Sequence, residues 1–213
     1  MPYSAPAHYR WGEGSGSLIL RIVRGRILPG RHDLLRAGLV ASFSEVRQLT
    51  GIVQAHMALR SVAEGNEFAV ISTWTTPDAA MAVFGRNVEG VAAIPGVSEH
   101  LDFRSVEHFE IDESLLLHAD EPPTVARIAV GSVQLGHDVE IQQEIRARMS
   151  DLGGPIAEAY VGRRIRDRAV EVAFVTLWAG RPADRALDEP FWYDVADRYE
   201  SYSIEVYDEV YPA

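Results

Sequence analysis

Short runs of branched apolar residues alternate along this chain with segments whose apolar residues recur at helical spacing. Residues 18–111 predict a strand, a helix, two strands joined by a tight turn, a second helix and a last strand. The strands are predicted at residues 18–28, 52–62, 67–75 and 100–111. The first helix starts with Asp33 as its N-cap, and the second starts at Thr76-Pro77, a capping threonine followed by a proline suited to the first helical turn.

The same order of elements recurs after residue 124. Strands are predicted at residues 125–135, 156–165, 170–178 and 201–210. A helix capped by Asp138 follows the first of these strands, and a helix that carries Leu187, Phe191 and Val195 precedes the last one. The second stretch therefore predicts the same β-α-β-β-α-β unit as the first.

Matching residues in the two stretches keep a nearly constant spacing. The pairs are Arg21 and Arg127, Ile52 and Ile156, Ala69 and Ala173, and Ser105 and Ser203, with offsets of 106, 104, 104 and 98. An offset that changes only between segments is what small insertions and deletions in loops produce. We therefore predict a tandem duplication, with an N-terminal arm at residues 1–17, a first repeat at 18–111, an acidic linker at 112–124 and a second repeat at 125–213.

Each copy places a tryptophan at the end of its third strand, just before a helix: Trp74-Thr-Thr-Pro in the first and Trp178-Ala-Gly-Arg-Pro in the second. With this motif and this order of elements, residues 18–210 resemble the dimeric α/β-barrel superfamily, and within it the antibiotic biosynthesis monooxygenase-like group. The resemblance implies an α+β fold of two tandem ferredoxin-like βαββαβ repeats that form an intramolecular dimeric α/β barrel. Known activities of the group are cofactor-independent oxygenation of polyphenols, haem degradation and polyketide cyclisation.

Strand alternation predicts which side chains line the interior of such a barrel. The helices should cover the face of the second strand that carries Val53, Ala55, Met57 and Leu59, which leaves the alternate residues for the interior. The same phase in the other strands gives a polar and aromatic lining. The predicted substrate-binding residues are Arg21, Gln54, Arg60, Trp74, Glu107, Arg127, Glu158, Arg164, Trp178 and Tyr207, with Ser72, Phe109, Thr176 and Glu205 on the same face.

His56 and Tyr160 occupy equivalent positions in the two copies but differ in chemistry. Because histidine titrates near neutral pH, His56 is the predicted general base, and Tyr160 is the second predicted catalytic residue, placed to hold a phenolate oxygen. Arg60 and Arg164 would stabilise the developing anion. The structural alternative is that His56 and Tyr160 are hydrogen-bonded core residues and that the tryptophans are also core residues. In this alternative Arg21–Glu107 and Arg127–Glu205 are ion pairs.

We predict no metal and no cofactor. The aspartates of His32-Asp33 and His137-Asp138 lie where helices begin, which capping explains. The haem-degrading relatives carry an axial histidine on the second helix of the unit, and residues 77–91 and 188–199 contain no histidine. The glycine-rich run at residues 12–16 follows no strand, so it does not match a phosphate-binding loop.

Composition excludes several classes of partner and of chemistry. The formal charge of −11 argues against nucleic acid and membrane surfaces as partners, and the chain has no cysteine and no lysine, which excludes thiolate and Schiff-base chemistry. Residues 1–17 lack the apolar core of a signal peptide, and no segment approaches the roughly 18 apolar residues of a membrane span, so a cytoplasmic location is expected.

Two functional hypotheses follow from the sequence. The first is a cofactor-independent oxygenase that acts on a phenolic or polyketide-like substrate inside the barrel. The second is a non-catalytic protein of the same fold that binds or protects a small molecule. In either case the partner is a small molecule, and the protein is expected to be a monomer with an internal pseudo-dimer or a homodimer.

Overall fold

The computed structural model of the protein describes residues 18–46, 48–84, 96–116, 122–134, 136–149, 156–166, 169–180 and 198–212. Nine strands and three α-helices are assigned within these ranges. In chain order they are β1 (Ile19–Ile27), α1 (His32–Val46), β2 (Ile52–Val62), β3 (Gly65–Trp74), α2 (Pro77–Phe84), β4 (Leu101–Leu116), β5 (Val125–Val133), α3 (Asp138–Met149), β6 (Ile156–Arg166), β7 (Ala169–Trp178), β8 (Tyr199–Tyr207) and β9 (Glu209–Pro212).

The predicted strands and the first helix of each stretch are present, with shifted ends. The backbone N–H of Ala79 donates to Thr76 Oγ1 at 3.1 Å, so Thr76 caps α2 as predicted. α1 begins at His32, which places Asp33 inside its first turn rather than at the N-cap. β4 extends to Leu116 instead of ending near residue 111. The helix predicted to carry Leu187, Phe191 and Val195 lies outside the described residues.

All the strands belong to one sheet with the order β8-β5-β7-β6-β4-β1-β3-β2-β9, and the paired neighbours are antiparallel. β4 uses its first part to pair with β1 and its last part to pair with β6. The end of the chain divides its pairing in the same way, since β8 pairs with β5 and β9 pairs with β2, and only Asp208 separates them. This predominantly antiparallel α+β arrangement is ferredoxin-like.

The two faces of the sheet are covered differently. On one face, α1 contributes Leu35 and Leu39 to a buried cluster with β1, β2 and β3, and α3 contributes Ile141 and Ile145 to a cluster with β5, β6 and β7. The other face, which we call the inner face, carries a third cluster that mixes strands from both ends of the chain. Its buried members are Leu20, Ile22, Ala58, Ala69, Ile71, Phe109, Ala126, Ile128, Tyr160, Ala173, Val175, Leu177 and Tyr207.

The prediction that Arg21, Trp74, Arg127 and Trp178 face the interior is wrong. Trp74 packs with Ile19 of β1 and Ala80 of α2, and Trp178 packs in the cluster that includes α3. The strand register gives the reason.

In the sheet, Arg21 lies opposite Ser72 and His108, whereas the inner-face residue Ile22 lies opposite Ile71 and Glu107. A phase error of one residue moves every side chain of a strand to the other face. Ser72 and Thr176, which alternate with Ile71 and Val175, therefore also lie on the helix-covered face.

No helix within the described part of the chain is long and apolar enough to cross a membrane.

Candidate functional site

His56, Glu158 and Tyr160 form a buried hydrogen-bonded cluster on the inner face. The Nε2 atom of His56 lies 3.1 Å from Glu158 Oε1 and 3.0 Å from Oε2. The hydroxyl of Tyr160 donates to Glu158 Oε2 at 2.6 Å. His56 comes from β2, whereas Glu158 and Tyr160 are two residues apart on β6, so both point to the same face of that strand.

The protonation states in this cluster follow from its contacts. Burial alone would raise the pKa of Glu158, but hydrogen bonds from His56 and Tyr160 and the charge of His56 outweigh it and lower that pKa. The carboxylate is therefore ionised at neutral pH and can only accept hydrogen bonds. Burial and the neighbouring Glu158 raise the pKa of Tyr160 well above its usual value, so its phenol stays neutral and donates.

The contact with Glu158 fixes the position of one hydrogen of His56. Because Glu158 only accepts, Nε2 carries the hydrogen that points to it, and in the neutral form of the ring the lone pair is then on Nδ1. Nδ1 is buried and has no hydrogen-bond partner among the described residues. A histidine oriented by a carboxylate in this way can accept a proton through its second nitrogen.

The cluster lies near one end of the inner face. His56 and Glu158 belong to the beginnings of β2 and β6, and the half-buried Gln54 lies two residues before His56 on the same face. The Glu158 side chain is only 10% exposed, so the ion lies in a largely buried environment. Of the predicted site residues, the structure brings His56, Glu158 and Tyr160 together here, and Gln54 is the nearest remaining one along β2.

The opposite end of the inner face carries a chain of ion pairs. Arg24 is at its centre and contacts both Glu107 and Glu205, the latter at 2.6 Å. On one side Glu205 is 3.4 Å from Arg60, which is 2.6 Å from Glu67. On the other side Glu107 is 2.8 Å from Arg164, which pairs with Glu171.

Two of these arginines also stack on aromatic rings. The guanidinium carbon of Arg60 lies 4.9 Å from the centre of the Tyr207 ring, and that of Arg164 lies 4.6 Å from the centre of the Phe109 ring. Arg60 and Arg164 are thus engaged with glutamates and rings near the ends of β2 and β6, not beside His56, where they were predicted to stabilise an anion.

The predicted ion pairs Arg21–Glu107 and Arg127–Glu205 are not the ones found. Glu107 and Glu205 lie on the inner face, whereas the register places Arg21 and Arg127 on the helix-covered face. Both arginines are nevertheless buried, and burial lowers the pKa of Arg21 to about 10.

Two residues of consequence, Arg24 and His108, were not predicted from the sequence. The offset of 106 between the matching residues of the two stretches pairs Arg24 with Val130, so the signal for Arg24 was a charge at a position that is apolar in the second stretch. His108 is opposite Arg21 in the sheet, and the corresponding partner of Arg127 is Val206. The signal for His108 was therefore of the same kind, but it required the strand register.

Within the described ranges, no three His, Asp or Glu side chains are grouped so that they could hold a metal ion.

Comparisons with known proteins support the fold. No protein-family model matches the chain, and no curated protein matches it. Among solved structures, a proposed monooxygenase from Fusobacterium nucleatum subsp. nucleatum superposes with a TM-score of 0.67 at 10% identity, covering 93% of this chain and 95% of that one. An anthrone oxidase-like protein superposes with a TM-score of 0.59 at 11% identity, covering 97% and 96%.

A third similar solved structure is described as a ferredoxin-fold protein. It is related to antibiotic biosynthesis monooxygenases, comes from Listeria monocytogenes, and superposes with a TM-score of 0.50 at 8% identity, covering 92% of this chain and 95% of that one. The chain has the ferredoxin-like fold of this group. At these identities the similarity concerns the fold alone.

Proposed function

We propose that the chain is a tandem pair of ferredoxin-like units whose single sheet closes into a barrel around the inner face. The strand order supports closure, because β8 and β9 stand at opposite edges of the sheet and are separated by one residue of the chain. The contact between His56 and Glu158 supports it too, since three strands lie between β2 and β6 in the sheet order. Such a contact requires the sheet to curl so that the two strands face each other.

Within this barrel we propose cofactor-independent oxygenation of a phenolic or enolisable aromatic substrate, with His56 as the proton acceptor. The observation that carries the proposal is that Nδ1 of His56 forms no hydrogen bond with any described residue, while Nε2 is held by the Glu158 carboxylate. Removing a proton from an electron-rich ring gives a carbanion that can transfer an electron to O₂. The carbon radical and superoxide then combine through a new C–O bond to give a hydroperoxide. Loss of water from the hydroperoxide leaves a carbonyl, so that CH₂ and O₂ become C=O and H₂O.

The neighbouring residues have different parts in this proposal. Tyr160 and Glu158 are positioning residues, because the Tyr160 hydroxyl is used to hold the carboxylate that orients His56. This replaces the predicted role of Tyr160 as the group that holds a phenolate oxygen. Gln54, half-buried at the same end, has an amide that can donate a hydrogen bond to the substrate oxygen.

The proposal is tested by oxygen uptake with a panel of anthrones, naphthols and hydroxylated quinone precursors. Anthrones are included because one structure of this fold belongs to an anthrone oxidase-like protein. We expect His56→Ala to lower kcat by about 100-fold, the usual contribution of a general base. His137→Ala, which removes an exposed histidine on another part of the chain, is the matched control and should retain full activity.

The Glu158→Gln variant tests the orientation of His56 while keeping the imidazole itself. The amide can donate to Nε2 of His56, which places the ring hydrogen on Nδ1 and leaves no lone pair for the substrate proton, so kcat should fall while the substrate KM changes little. Uptake that is equal in the wild type and in His56→Ala would remove His56 from the reaction.

The second candidate is a protein that binds a small molecule without chemistry. The cluster favours it in one respect, because His56, Glu158 and Tyr160 already bind one another and would be a stable core feature without turnover. Native mass spectrometry of the purified protein distinguishes the two functions. A retained ligand that is recovered unchanged after exposure to air supports binding alone, whereas its conversion to a carbonyl product supports oxygenation.

A further inference from the structure

A cleft of about 540 Å³ opens on the sheet where β4 leaves β1 and joins β6. Its apolar side chains come from both halves of the chain and include Ile19, Met81, Ile165 and Val170. Ile165 is 81% exposed, which is unusual for a large apolar side chain and leaves it free to cover a bound molecule. The volume is within the range of small-molecule sites.

The polar side of the cleft is formed by His108 together with Glu110, Arg163 and Arg164. The Nε2 atom of His108 is buried, and no residue in the described part of the chain forms a hydrogen bond with it. A buried polar atom without a partner costs free energy, and a ligand atom that pairs with it recovers that cost. This atom is therefore a place where the cleft would gain from a polar ligand group.

The charges around His108 decide the sign of that group. Burial and the charges of Arg21 and Arg164 lower the pKa of His108 to about 4, so the imidazole is neutral at pH 7 in a positive electrostatic environment. Arg163 and Arg164 are held in place by acidic partners, Arg163 by Asp112 at 3.3 Å. Glu110, exposed on the rim, disfavours a second negative charge on the ligand.

The other half of the sheet shows that the fold does not require a histidine here. Arg127 corresponds to Arg21, and the residue opposite Arg127 on β8 is Val206 rather than a histidine. A valine satisfies the same place in the sheet without leaving an unpaired polar atom. The imidazole thus belongs to the cleft rather than to the packing of the sheet.

We propose that this cleft binds a planar aromatic monocarboxylate, with the ring against Ile19 and Met81 and the carboxylate accepting a hydrogen bond from His108 Nε2. A carboxylic acid is ionised at neutral pH, whereas a simple phenol is not, so the site selects an acid over a phenol. The proposal goes beyond the oxygenase function and does not depend on it. The cleft is built around β4 and the far end of β6, whereas His56 contacts the beginning of β6.

Isothermal titration calorimetry of the full chain at pH 7, without a phenolic substrate, tests the proposal with 2-naphthoate as the probe. The neutral 2-naphthamide, of nearly the same shape, is the comparison ligand. We expect saturable binding of one equivalent of 2-naphthoate, at least 10-fold weaker binding of 2-naphthamide, and loss of at least 10-fold in affinity in His108→Val. This variant copies the residue that the other half carries at this place, so it should fold.

Two further variants keep the outcome decisive. His108→Gln retains a donor and should bind 2-naphthoate within a few-fold of the wild type. His56→Ala should bind it unchanged, which separates a failure at this cleft from a failure of the oxygenase proposal. Absence of saturable binding, equal affinity for 2-naphthoate and 2-naphthamide, or wild-type affinity in a folded His108→Val variant would each overturn the proposal.

Discussion

Arg24 and Glu205 are 181 positions apart in the chain, yet Nε of Arg24 lies 2.6 Å from Oε2 of Glu205. The same guanidinium contacts Glu107, so a single cation lies between two carboxylates from β4 and β8. Glu107 and Glu205 continue outwards to Arg164 and Arg60, and these to Glu171 and Glu67. Because the chain of ion pairs has acidic residues at both ends, it contains one more glutamate than arginine.

Removal of the central cation should therefore destabilise the protein. Arg24→Met leaves Glu107 and Glu205 facing each other, with side chains only 15% and 20% exposed, and we expect a loss of about 2 kcal/mol in the free energy of unfolding by urea. Arg104→Met is the control, because Arg104 is 45% exposed and 3.8 Å from Asp102, a geometry worth at most about 0.5 kcal/mol. Equal losses in the two variants would show that the chain of ion pairs does not stabilise the fold.

Closure of the sheet can be tested by an engineered disulfide, since the natural chain contains no cysteine. Ala58 of β2 lies opposite Val210 of β9. Opposed residues of antiparallel strands have Cβ atoms close enough for a disulfide, so Ala58→Cys with Val210→Cys should cross-link on oxidation.

By closing a loop of about 150 residues, the disulfide should raise the free energy of unfolding by about 5 kcal/mol at most. Non-reducing gel mobility and urea unfolding measure the two effects, and the single-cysteine variants are the controls. A double variant that forms only intermolecular disulfides would argue that β9 does not lie beside β2.

The carboxylate of Glu158 should make stability depend on acidity. Its folded pKa is lowered, so its contribution is fully present above the unfolded value of about 4.3 and is lost as pH falls through the lower folded value. We expect the wild type to exceed Glu158→Gln in unfolding free energy at pH 7, and the difference to shrink below about pH 4.3. Urea unfolding from pH 3 to pH 8 measures it, and a difference independent of pH would contradict the assignment of an ionised Glu158.

His108 should change stability in the same direction as Glu158, but over a higher range of pH. Its folded pKa is lowered to about 4, whereas an unfolded histidine titrates near 6.5. Between these two pH values the imidazole is protonated in the unfolded state and neutral in the folded state. Stability should fall as pH decreases from about 6.5 to about 4, and this loss should be smaller in His108→Val. Imidazole NMR titration measures the pKa directly, with the exposed His137 as the internal comparison, and a His108 pKa near 6.5 would contradict the burial described here.

The sequence predicted the order of elements because amphipathic helices and turn residues are local signals. It also placed Gln54, His56, Glu158 and Tyr160 on the inner face correctly, since one face of β2 is an uninterrupted apolar series. The phase of β1 could not be obtained in this way. Both faces of β1 are buried, so Ile19 through Val23 form an apolar run interrupted only by Arg21, and the assumption that a charge must face a polar interior gave the wrong face.

The site itself was predictable only in part. That Glu158 rather than an arginine meets His56 depends on how β2 and β6 approach each other, and no local pattern encodes an approach between strands so far apart in the sheet order. Arg24 could be noticed from its match to Val130, but its contacts with Glu107 and Glu205 depend on the folded sheet. His108 could be recognised only from the register, which places it beside Arg21.

The meeting of His56 with Glu158 joins two strands of one polypeptide, and this has a consequence for how such a protein can change. In an assembly of two identical subunits, a substitution on one side of the symmetry axis also occurs at the equivalent position on the other side. Here β2 and β6 are encoded separately. One strand can keep an imidazole while the other acquires its acid, and the protein is free to maintain a single specialised centre where a symmetric dimer would have to tolerate two.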